Sequence, residues 1–92
     1  MGSFLGGSAP AMARQVCDGF SQLSPVILKR LTIDQMRMLE FEMDKKLRQS
    51  RADTVDLDDQ AGLTERNRRI SRIEGALRVL RHCQQQKKTG RL

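Results

Sequence analysis

Apolar residues along most of this chain recur at spacings of three and four, the period of an amphipathic helix. Met12, Val16, Phe20 and Leu23 follow Pro10, a residue tolerated in a helix's first turn, and predict a short helix over about 10–22 that Gly19 weakens. Ser24-Pro25 reads as an N-cap followed by proline at the first helical position, opening a second short helix over 25–31. Thr32 with Gln35 three residues on is a capping box, and it starts the plainest pattern in the chain. Ile33, Met36, Leu39, Met43 and Leu47 fall within about 60° of one meridian at roughly 100° per residue, so a helix over about 33–50 buries that stripe. Glu42–Lys46 and Asp44–Arg48 add i,i+4 pairs in the favourable order.

The same segment carries apolar residues on its other side. If 25–50 were one continuous helix, Ile27, Leu31, Met38 and Phe41 would form a second stripe interrupted by Asp34. Met38 and Phe41 lie on that far side whether or not the helix is continuous. A helix apolar on two sides touches two neighbours, so these four residues are candidates for a second contact surface.

Residues 51–62 lose helical periodicity and read as a long loop that Val55 and Leu57 could pin down. Thr64 then offers an N-cap with Glu65 in the first turn, and a helix over about 64–88 carries a heptad seam. Leu63, Ile70, Leu77 and Gln84 repeat every seven residues, with Arg66, Ile73 and Leu80 at the complementary positions. Gly75 costs up to about 1 kcal/mol relative to alanine, and Gly90 is a stop signal. Arg66 on this meridian reads as a first-turn side chain snorkelling outward, or as a register-setting partner for Glu40.

Three heptads are short for a free-standing coiled coil. The expected architecture is therefore all-α: an antiparallel hairpin of helices 33–50 and 64–88, preceded by the two short helices. Ile70, Ile73, Leu77 and Leu80 pack against Ile33, Met36, Leu39, Met43 and Leu47. Two hairpins pairing as a homodimeric four-helix bundle would close the core. The alternatives are a single chain in which residues 10–31 cover the seam, and association with another helical protein.

Composition supports helices over sheets. Aromatics are 3% of 92 residues, against a hydrophobic content of 38%, so the core is Leu, Ile, Val and Met. One domain over 9–92 accounts for the length, and MGSFLGGS at 1–8 resembles a linker or expression scar. The ending at GRL suggests a piece of a longer chain. Neither a signal-peptide pattern nor a membrane-length apolar run occurs, and two cysteines are too few for a disulfide framework, so an intracellular setting (cytoplasm or nucleus) is expected.

The net charge of +6 is unevenly spread: +2 over 1–31, +1 over 32–51, −4 over 52–62 and +7 over 63–92. The basic last helix invites a nucleic-acid reading. Against it, Arg68, Arg72, Arg78 and Arg81 scatter around the helix, and no aromatic on it could stack on a base. A membrane-surface role lacks Trp or Phe anchors on the apolar face. Cys17, His82 and Cys83 are one ligand short of a zinc set, and adjacent helical residues point about 100° apart, so His82 cannot activate Cys83. The acidic loop lacks the glycine and terminal glutamate of a calcium hand. No cofactor, no small-molecule substrate and no catalysis are expected. Arg68-Arg69-Ile70-Ser71 matches a basic-directed kinase target, which makes Ser71 a candidate phosphorylation site; a phosphate there would add negative charge beside the seam. The expectation is a non-catalytic interaction or oligomerisation module of a regulatory or scaffold protein, self-associating through the seam, with nucleic-acid binding through 64–88 as the alternative.

Overall fold

A computed structural model describes residues 4–92. Among these residues the structure is entirely helical: a 3-10 turn at Leu5–Gly7, then α1 (Ala9–Cys17), α2 (Pro25–Leu28), α3 (Ile33–Ala52) and α4 (Gln60–Lys88). Of the segment 1–8 that resembles a linker, residues 1–3 lie outside the described residues, while Phe4 packs against the core.

Each helix boundary has a chemical cause. Ser8 caps α1, its hydroxyl accepting from the Ala11 N–H, with Pro10 in the first turn. The helix then ends five residues earlier than the spacing predicts. Gly19 takes a φ of +86°, and the Phe20 and Gly19 N–H groups donate back to the Gln15 and Val16 carbonyls. That is a Schellman closure, which the chain can make only because a residue without Cβ sits at the left-handed position. Phe20 is consequently thrown into solvent and does not continue the stripe of Met12 and Val16.

Ser24 caps α2, which stops at Leu28. Thr32 and Gln35 then form both bonds of the capping box, Gln35 N–H to Thr32 Oγ1 at 3.1 Å and Thr32 N–H to Gln35 Oε1 at 2.9 Å. A cap requires extended backbone at Thr32, so α2 and α3 are separate and 25–50 is not continuous. The loop is shorter than 51–62 and α4 starts earlier than Thr64. Asp59 is the cap, accepting from the Gly62 N–H at 2.9 Å, and it lets Gln60–Leu63 join the helix.

α3 and α4 run antiparallel: Glu40 meets Arg81, Glu74 meets Arg51, and Ser50 at the far end meets Arg66 and Arg69. Met36, Leu39, Met43 and Leu47 from α3 share one core with Ile73, Leu77, Leu80 and Cys83 from α4. Met12, Ala13, Val16 and Cys17 of α1, together with Leu23, Leu28 and Leu31, complete that core within the chain. Four helices thus pack around a single apolar centre, and residues 9–31 lie over the hairpin.

Candidate interaction surface

The inner stripe of α3 is saturated. Met36, Leu39 and Met43 are fully buried and Leu47 nearly so; on α4 the same holds for Ile73, Leu77 and Leu80. Ile33, Leu63 and Ile70, at the margins of the seam, are half-buried, and Ile70 packs on the core. The seam residues other than Ile33 and Leu63 therefore share one core, and their partners are found inside the chain.

The proposed second surface divides. Leu31 belongs to the core and Ile27 packs against it, whereas Met38 and Phe41 are 54% and 60% exposed. The break at 29–32 explains the division, because it frees α2 to turn its apolar side inward. Met38 and Phe41 stand on α3 opposite the buried stripe, with the Lys45 ammonium 5.8 Å from the Phe41 ring centroid. Glu42 holds Lys45 at 3.2 Å, and Arg37 lies 3.8 Å from Asp34. The sequence pairing of Glu42 with Lys46 and of Asp44 with Arg48 is not what forms. Asp44 turns to Arg81 at 3.4 Å, and among the described residues Arg48 has no ion-pair partner.

The basic face of α4 has a structural occupation that periodicity did not expose. Arg66 donates from Nε to the Ser50 carbonyl at 3.1 Å and from its terminal nitrogen to the Arg51 carbonyl at 2.8 Å, closing the end of α3. Arg72 donates to the Cys17 carbonyl at 2.7 Å, at the end of α1, and Lys87 to the Lys29 carbonyl at 3.0 Å, at the end of α2. Arg69 binds Asp18 at 2.6 Å and the Ser50 hydroxyl at 3.2 Å. Cations suit helix C-termini because unpaired carbonyls there concentrate negative partial charge. Neither sequence reading of Arg66 describes this arrangement: it is not a free snorkelling side chain, and Glu40 is held by Arg81 at 2.8 Å and by Gln84 at 3.1 Å. The Arg81 hydrogen bond is the main reason that the Glu40 carboxyl titrates below its ordinary value, with Gln84 adding to it. The signal available in sequence was the spacing of Arg66, Arg69 and Arg72, three residues apart along one side of α4.

Other candidates are weaker as chemistry. Cys17 and Cys83 are buried free thiols whose pKa values burial raises, the reverse of what a nucleophile needs. Among the described residues no cluster of three His, Cys, Asp or Glu side chains could hold a metal ion, and no helix is long and apolar enough to cross a membrane. Ser71 is exposed in the middle of α4, beside a groove of about 420 Å³ walled by Val16, Leu23, Arg72, Gly75 and Val79. The groove opens where Gly75 leaves a gap in the helix surface, since a Cβ there would meet nothing. Comparisons with protein-family models, with curated proteins and with solved structures gave no match.

Proposed function

We propose that this chain is a non-catalytic helical interaction module, the contact-making part of a regulatory or scaffold protein, and that its contact surface is the outward face of α3. The observation that carries this reading is the exposure of Met38 and Phe41 on a helix whose other side is already fully packed. A long thioether and an aromatic ring side by side in water are a cost to solubility that a partner's surface would remove, and methionine adapts to the shape it meets. The seam of α3 and α4 serves this surface by fixing α3 rigidly, with the apolar centre as its backing.

The basic helix supports a nucleic-acid role less well. Arg66, Arg69, Arg72, Arg81 and Lys87 each bind a carbonyl or carboxylate of the chain itself, which leaves few cations of α4 free for phosphate.

A photoreactive phenylalanine analogue at position 41 tests the reading in living cells. Discrete protein adducts are expected from position 41 and not from position 82 on α4, and Met38→Glu should remove them. Adducts from position 82 alone, or none from position 41, would overturn it.

A further inference from the structure

The outward face of α3 has a charge pattern that specifies its occupant. Asp34, Phe41 and Arg48 are spaced by seven, and seven residues advance an α-helix almost two full turns. The three side chains therefore lie within about 40° of one line, with acid, ring and base at intervals of about 10 Å. Asp34 is 89% exposed, and among the described residues its ion pairing is limited to the loose 3.8 Å pair with Arg37. Arg48 is exposed and, among the described residues, has no ion-pair partner. The ends of the line thus carry opposite charges available to a neighbour, on either side of an exposed ring.

We infer that a second copy of this chain docks on this face, α3 against α3 and antiparallel, with the twofold axis at Phe41. This rests on the reading of α3 as the contact surface and names what covers it. In an antiparallel pair about that axis, residue 41 meets its own equivalent, and Asp34 of each copy lies level with Arg48 of the other. One rotation forms both ion pairs, as an isologous contact requires. The parallel arrangement is disfavoured by the same residues, since it sets Asp34 against Asp34 and Arg48 against Arg48. Met38 flanks the two rings, and Lys45 stays with Glu42 and over its own Phe41 ring. Arg37 and Lys45 of opposite copies come to the same level; Glu42 answers Lys45, while Asp34 is shared between its loose pair with Arg37 and Arg48 of the other copy, so this like-charge approach offsets part of the gain. A single helix pair is small beside the ~1,600 Å² of a standard interface, so the dimer is weak, with dissociation in the micromolar range or above.

Sedimentation equilibrium of the full chain tests the inference. The wild type should be a concentration-dependent dimer, and Phe41→Ser should abolish association without changing the helical circular dichroism. Asp34→Arg and Arg48→Asp should each weaken it roughly tenfold, because each turns two attractions into two repulsions. The decisive sample is an equimolar mixture of these two single variants. One then carries two bases and the other two acids on the same line, so the mixture should associate at least as well as the wild type. A wild type that stays monomeric to high concentration, or a mixture that associates no better than its components, overturns the second copy as occupant. Foreign-protein adducts from position 41 in cells alongside a monomeric purified chain would remove this inference and leave the contact-surface reading standing.

Discussion

The two faces of α3 are built from similar residues and have opposite fates. Met36, Leu39 and Met43 on one side are fully buried, whereas Met38 and Phe41 on the other remain more than half exposed. Hydrophobicity does not separate them; neighbours do. The inner stripe runs unbroken at the helical period and lies against α1 and α4. The outer residues are two, flanked by Asp34, Lys45 and Arg48, and among the described residues no helix covers them. Burial follows continuity of the stripe, and the interrupted stripe stays in solvent.

Substitutions along this one helix can break the comparison, in descending order of effect. Met43→Ala on the inner face should cost about 2–5 kcal/mol, the range for truncating a large buried side chain, measured by urea unfolding. A loss below about 1 kcal/mol would mean that the inner face is less tightly packed than its burial implies. Thr32→Ala at the N-terminus should cost about 1 kcal/mol through the lost cap, and more if α2 and α3 then try to fuse.

Glu40→Gln on the flank is a test in pH. Because the folded carboxyl titrates below its ordinary value of 4.5, the stabilisation by Arg81 is complete above that value and is lost as pH falls through the lower folded one. The variant should therefore lose well under about 1 kcal/mol at neutral pH, since half of Arg81 is in solvent, and should show a flatter decline of melting temperature below pH 4.5 than the wild type. An unchanged acid slope would exclude Glu40 as a contributor. Phe41→Ser on the outer face should change stability by no more than about 0.5 kcal/mol at dilute concentration. A larger loss would show the ring to be part of the fold and not of a contact surface.

How much was legible in the sequence differs from helix to helix. The start of α3 was, because a Thr-x-x-Gln box is a complete local signal that needs nothing from the rest of the chain. The start of α4 was not: Asp59 is one of four acids between 53 and 59, and only the backbone path selects it as the cap. The end of α1 was half legible, with Gly19 visible as a weak point but not as a terminator. The largest gap concerns the seam. Periodicity showed that Ile73, Leu77 and Leu80 must be buried, yet a one-dimensional pattern is the same whether α1 or another copy does the burying. Residues 9–31 do it here, and their own apolar spacing was the hint. The outer patch was legible as Met38 and Phe41, while Ile27 and Leu31 were joined to it by a continuity that the cap at Thr32 forbids.

The contacts of α4 with the ends of the other helices have a consequence for biogenesis. Arg72 reaches back 55 residues to Cys17, and Lys87 reaches back 58 residues to Lys29. A ribosome adds these cations after α1, α2 and α3, at some 5–20 residues per second, so those helices exist for seconds without the partners that α4 brings and with the core open on one side. During that interval the inner faces of α1 and α3 lack the side of the core that α4 later closes, and transiently open apolar surface of this kind favours misassembly.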